Sequence, residues 1–272
     1  MAYNNFKATV WSKFIQRELE KKCRLVEDCW SQFEGEAKQG KQVKILGVGS
    51  PVIGDYKGTS IGAPQTIADN SVTLDIDQAK YFNFMVDDID RAQSVPGLME
   101  TLMKEATAKM AQTRDAYVAG LAAAATQASD SLEITSPEDA KAALDAALLA
   151  LREQDVDLED EVVIDVAPFF YQLLRDNLAA LKTNNDELIA KGVVGLYDNC
   201  QVKLSNNLYD DGTDTYMMVR TKRAIAFAGA IDRVEAYRPE TLFSDAMKGL
   251  NVYGAKIVRP KELYVIKAHK AG

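Results

Sequence analysis

Four groups of residues in this 272-residue chain have types that do chemistry elsewhere. The run VKILGVGSPVIG at residues 43–54 places Gly47, Gly49 and Gly54 after a strand-like stretch. A dinucleotide site needs G-x-G-x-x-G running straight into a helix, whose N-terminal amides hold the pyrophosphate. Here Ser50, Pro51 and Val52 stand in the region of the third glycine, and more Gly, Pro and Thr follow, so these glycines read as turns in an arm. Asp155, Asp157, Glu159, Asp160 and Glu161 resemble a calcium loop only in charge. The sixth position, which must be glycine, is Asp160, and the twelfth, which must be glutamate, is Val166. Asp87, Asp88 and Asp90 could serve acid–base or metal chemistry, or form a helix-start or interface turn.

The fourth group is Cys23, Cys29 and Cys200, with His269 as the single histidine. Cys23 and Cys29 lack the spacing of a zinc pair, and an odd, sparse set of three reads as reduced thiols. A lone histidine near the C-terminus leaves no Ser–His or Cys–His pair for a core. Walker, GxSxG and HExxH motifs are absent. The expectation is a protein without catalytic residues, metal or cofactor.

Lys and Arg number 32 against 40 Asp and Glu, a formal net charge of −8. Phosphate binding draws on clustered basic residues, so this balance argues against gripping nucleic acid and permits lying beside it. No run approaches the roughly 20 apolar residues of a membrane span. The polar start of the chain argues against a secretory peptide, so synthesis in the cytoplasm is expected.

The elements that must carry these residues form an α+β chain. Residues 6–33 read as helical, with Trp11, Phe14, Ile15, Leu19, Leu25 and Val26 among many charges, and look like an arm lying across something else. Residues 43–48 and 71–77 read as two strands of an extended arm around an unpacked Gly- and Pro-rich tip. Residues 81–86 read as a further strand. Pro96 then opens a long helix carrying Leu98, Met99, Leu102, Met103, Ala106, Met110 and Tyr117 at helical spacing. With the Ala-rich tail AGLAAAATQAS it extends to about 30 residues, roughly 45 Å.

Ser136 and Pro137 mark the start of a second helix, with Ala140, Leu144, Leu148 and Leu151 as its stripe. Residues 162–166 read as a strand, and Pro168 starts a third helix with Phe170, Leu173, Leu174, Leu178 and Leu181. The run DDGTD at 210–214 reads as a hairpin turn. Strands are predicted over 217–219, 224–231, 252–258 and 263–266, the last two separated at Pro260.

Several phrases in this order resemble the major capsid proteins of tailed bacteriophages. Asp77-Gln78, Tyr81-Phe82-Asn83-Phe84, Val86-Asp87-Asp88-Ile89-Asp90 and Ala92-Gln93-Ser94 resemble the family's junction between extended loop and spine helix. Val163-Ile164 with Pro168-Phe169-Phe170 and Leu173-Leu174 is similar to its axial strand–helix unit, and Ser205-Asn206-Asn207-Leu208 to that domain's edge. Ala224-Ile225-Ala226-Phe227-Ala228, Val234-Glu235 and Arg238-Pro239-Glu240 resemble its return strands; Gly249, Tyr253-Gly254-Ala255-Lys256 and Arg259-Pro260 resemble the terminal strand.

The resemblance implies the Hong Kong 97-type capsid fold. Its parts would be an N-terminal arm (1–38), an extended loop (39–82), a peripheral domain with the spine helix (83–128 and 230–272) and an axial domain (129–229). It implies pentamers and hexamers in an icosahedral shell around double-stranded DNA, with a portal, a separate scaffolding protein and decoration proteins as partners. The expected interface residues are Trp11, Phe14 and Ile15 in the arm and Gly54, Asp55, Tyr56 and Lys57 in the loop. Some relatives crosslink a loop lysine to an asparagine on a neighbour; Lys57 could stand as such a donor, but no motif establishes an acceptor, so the sequence does not support crosslinking. The alternatives are an encapsulin-like compartment, an α+β enzyme using the Asp87–Asp90 carboxylates, and a phage tail or decoration protein.

Overall fold

The computed structural model describes residues 24–33, 41–48, 53, 69–87, 98–157, 161–180, 196–241 and 244–270. The long helical pattern forms helix α2 (Leu98–Gly120), 23 residues and about 34 Å. A short helix, α1 (Arg24–Glu27), precedes it in the chain. The Ala-rich tail departs from expectation. A 3₁₀ turn (Leu121–Ala124) ends the helix, and β4 (Ala128–Ile134) follows as a strand. Alanine's advantage in a helix is only about 0.5 kcal/mol per residue over most others. Here it loses to a ladder of backbone hydrogen bonds: the Val265 N–H donates to the Gln127 carbonyl at 3.0 Å, and β4 then runs parallel to the C-terminal strand.

Helix α2 lies on a three-stranded antiparallel sheet of β3 (Gln78–Asp87), β10 (Ile225–Tyr237) and β11 (Ser244–Ile257), in the order β10–β11–β3. Strand alternation puts Phe82 and Phe84 toward the helix, where they pack around Met103, Ala111, Val234 and Met247. Beside this sheet stands a hairpin of β1 (Gln42–Val48) and β2 (Asp69–Asp75), paired from Gln42↔Asp75 to Val48↔Asp69. Its base has a core: Val43, Ile45 and Leu74 pack on Ala226 and Ala228, while Leu46 toward the far end is exposed.

The hairpin crosses β11 so closely that a Cβ on Gly254 would sit 2.1 Å from the Asp75 carbonyl oxygen. Gly254→Ala is therefore expected to push the hairpin off the sheet and cost about 1–3 kcal/mol. Thermal denaturation checks the loss, and faster amide exchange in β1 and β2 would place it at the crossing.

A second, larger sheet has the order β4–β12–β9–β5–β7–β6. Its remaining strands are β5 (Val162–Val166), β6 (Leu196–Tyr197), β7 (Cys200–Leu204), β9 (Thr215–Thr221) and β12 (Leu263–Lys270), with β8 (Tyr209–Asp210) pairing the start of β9. Helices α3 (Pro137–Arg152) and α4 (Pro168–Ala180) cover one face. The N-terminus of α3 follows its sequence signal. Ser136 accepts from the Asp139 N–H and the Asp139 carboxylate accepts from the Ser136 N–H, a reciprocal cap, with Pro137 in the first turn. The predicted stripe Ala140, Leu144, Leu148 and Leu151 is buried, joined by Ala143 and Ala147. The 210–214 run makes its hairpin turn, with Gly212 at φ 90°.

Leu263–Lys270 is hydrogen-bonded in the larger sheet between β4 and β9. The N-terminal segment, expected to be helical to residue 33, is helical among the described residues only over Arg24–Glu27. Trp30 then joins the edge of β10: its N–H donates to the Ile225 carbonyl at 2.8 Å, and its carbonyl accepts from the Phe227 N–H at 3.0 Å. Leu25 and Cys29 are buried with Val118, Met218, Phe227 and Tyr253, in the cluster that joins the two sheets. The exposed backbone edge of β10 and this apolar pocket outweigh continuation of a helix.

Candidate functional site

The residues first singled out for chemistry are scattered. Gly47 lies within β1; Gly49 and Gly54 lie outside the described residues. Asp87 ends β3, and Asp88 and Asp90 lie outside the described residues. In the acidic run, Glu161 pairs with Lys222 at 2.6 Å, while Glu159 and Asp160 are outside. Burial pushes the thiols of Cys29 and Cys200 up to about 11, which disfavours the thiolate. His269 Nδ1 meets Asp214 Oδ1 at 2.7 Å, and the Ser131 hydroxyl donates to the same oxygen at 2.9 Å. Serine and histidine both address the carboxylate instead of each other, so the trio ties β4, β12 and the turn before β9 together. Among the described residues no three His, Cys, Asp or Glu side chains are grouped to hold a metal ion.

The strongest concentration of charge was not anticipated from sequence. Strand alternation turns Val162, Ile164 and Val166 toward α3 and α4, and so turns Asp165 to the opposite face of the sheet. Asp165 pairs in register with Lys203 on β7, and Arg220 on β9 points the same way. Residues 24–30 close over this face. The Arg220 guanidinium donates to the carbonyls of Leu25 (3.0 Å) and Asp28 (2.5 Å) and stands 3.4 Å from the Asp165 carboxylate. Lys203 Nζ pairs with the Asp28 carboxylate at 2.5 Å.

At the other end of α1, the Asp115 carboxylate of α2 accepts from the Arg24 N–H at 3.3 Å and from the Asn207 side chain at 3.4 Å. The Arg24 guanidinium donates to the Leu204 carbonyl at 3.1 Å. Arg220 and Asp165 are 0% and 1% exposed as side chains. Burial pushes the Asp165 carboxyl up to about 6, with Arg220 opposing, and burial also raises Asp115 and Glu27. The signal was in the text: a charged residue inside an apolar strand pattern, VVIDV and MMVRT, needs a buried partner.

The outer surface carries apolar residues of another kind. On the sheet face away from α2, Tyr81 is 79% exposed, opposite Leu250 in register, and Met85 is exposed two pleats on. Ile53, beyond β1, is 93% exposed. A groove lined by Phe82, Phe84, Leu102, Ala106 and Met110 runs between β3 and α2. Tyr81, Leu250 and Met85 thus share one exposed face of the sheet. The arm and loop residues expected at interfaces (Trp11, Phe14, Ile15, Gly54, Asp55, Tyr56 and Lys57) lie outside the described residues.

Comparison with known folds gives this arrangement its class. A structure from Mycobacterium phage Che8 is similar with TM-score 0.77 and 29% identity, over 90% of each chain. The capsid of cyanophage P-SCSP1u is similar with TM-score 0.68 and 18% identity, over 85% of this chain and 84% of that one. A virus-like particle from Pyrococcus furiosus is similar with TM-score 0.62 and 10% identity, over 98% of this chain and 100% of that one. No curated protein sequence matches the chain. Spine helix, crossing hairpin and two sheets thus define the fold of tailed-phage shell subunits. A family model described as phage capsid protein matches residues 70–266, and the chain belongs to that family. It is a major capsid protein.

Proposed function

We propose that this chain assembles as pentamers and hexamers into an icosahedral head shell enclosing packaged double-stranded DNA. The observation carrying this reading is the family match over residues 70–266, on a chain whose hairpin and exposed sheet face extend beyond its own core. In this reading the peripheral part comprises β3, α2, β10 and β11. The axial part comprises 128–221 together with β12, and the N-terminal arm and the hairpin reach neighbours. The partners are further copies of the chain, a separate scaffolding protein, a portal and decoration proteins; the location is the virion, after synthesis in the host cytoplasm. The role is structural and not enzymatic. A net charge of −8 suits a container whose lining must release its contents.

Negative-stain electron microscopy of the expressed chain, with and without a co-expressed scaffolding protein, tests the reading. Closed shells with five- and six-fold capsomers are expected. A chain that stays monomeric under both conditions, or forms only open tubes, would overturn it. An encapsulin-like shell is a second reading, supported by the end-to-end match to the Pyrococcus furiosus particle; shells filled with protein and free of DNA after infection would favour it.

A further inference from the structure

We propose that residues 24–30 form a proton-linked latch, docked on the sheet face that carries Asp165, Arg220 and Lys203, tightened by acid and loosened as pH rises. A helix of four residues has no stability of its own, because nucleation costs more than one turn returns. Its end groups are satisfied from other elements: Asp115 of α2 takes the Arg24 N–H, and Arg220 of β9 takes the Leu25 carbonyl. Docking therefore depends on side chains that remain in the sheet and in α2 whether or not the latch is closed.

Docking also removes acids from water. The groups acting on Asp165 are Arg220 on β9, Lys203 on β7, Asp28 on the latch itself and Asp115 on α2, and Cys29 of the latch senses the Asp165 charge in turn. Glu27 and Arg24 lie at the same site, on α1. Burial is the largest cause of the raised values of Asp165, Asp115, Glu27 and Cys29. Lifting the latch returns these groups toward water and toward their ordinary values.

The sign follows. Asp165 stands at about 6 when docked, against an ordinary 3.8, so the docked state holds its proton more tightly than the open one. Docking strength from this group is fully present below the ordinary value and is lost as pH rises through the docked value. Between pH 5 and pH 7 the docking equilibrium should weaken about tenfold. Asp115 and Glu27 are shifted in the same direction and add with the same sign. The ionised Asp165 still faces Arg220 and Lys203, so the latch loosens at neutral pH without being expelled. The inference concerns the isolated subunit and stands whether or not the arm reaches a neighbour.

The experiment uses soluble full-length chain. Trp11→Phe leaves Trp30 as the single tryptophan, since the chain has two. Trp30 emission and amide exchange over 24–30, corrected for the intrinsic effect of pH, are followed from pH 5 to pH 8, with the amides of α3 as an internal control. Opening about tenfold greater at pH 7 than at pH 5, confined to 24–30, is expected. Asp165→Asn should flatten the profile. Asp28→Asn removes a charge that raises Asp165 and should move the midpoint to lower pH; it decides the matter if Asp165→Asn does not fold. Opening that is independent of pH, that grows in acid, or that keeps its profile in Asp165→Asn overturns the proposal. So does an unmoved midpoint in Asp28→Asn.

Discussion

Arg220→Met is expected to cost roughly 3–5 kcal/mol of folding stability, because it leaves the buried Asp165 carboxylate facing no guanidinium. The side chain is similar in length, so lost volume is a small part of the effect. The carbonyls of Leu25 and Asp28 also lose their donor, and a buried acceptor without one carries its full desolvation cost. Arg220→Lys should recover little, since a point charge cannot address two carbonyls and a carboxylate at once. The double change Arg220→Met with Asp165→Asn should recover part of the loss, because no charge then remains uncompensated at that position. Urea denaturation of the four proteins makes the comparison. A loss under about 1 kcal/mol in the single mutant would show that the cluster does not hold the segment.

The second large effect is on the spine helix. Met103 is 1% exposed, packed with Ala111, Val234 and Met247 between α2 and the three-stranded sheet. Met103→Asp places a carboxylate where no basic group of that cluster can meet it, at a cost of several kcal/mol. Insoluble or unfolded protein is the expected outcome. Met110 is only partly buried, so Met110→Asp should cost less. Lys109 is exposed, and Lys109→Ala should stay within about 0.5 kcal/mol of the parent. Soluble yield and circular dichroism rank the three. Equal tolerance of all three would mean that the helix does not pack on this face.

The contrast between Met103 and Lys109 could be read in advance, because both lie on a helix whose 3.6-residue period is written in consecutive letters. The same holds for the Ser136–Pro137 start of α3, the Gly212 turn and the alternation of β5. Each is determined within one turn or a few pleats, by capping, backbone conformation or side-chain direction. The order of phrases along the chain also carried the capsid resemblance to which the fold and family match conform.

Tertiary structure alone decided which strands are neighbours. Nothing local in Leu263–Lys270 says that it lies between β4 and β9, or that the Ala-rich tail of α2 must stop at Gly120 so that β4 can join it. Local propensity is worth tenths of a kcal/mol per residue, and a sheet ladder formed across more than a hundred residues overrides it. The latch has the same origin. Asp28, Asp115, Asp165, Lys203 and Arg220 come from five separate segments, and each alone reads as an ordinary surface charge or an oddity within a strand. Strand alternation aims Asp165 and Arg220 at one face of the sheet, and residues 24–30 close over that face from a distant part of the chain. Sequence by itself determined the elements and their kind; burial of charge between distant segments, on which the largest energies depend, arises only once the chain has closed on itself.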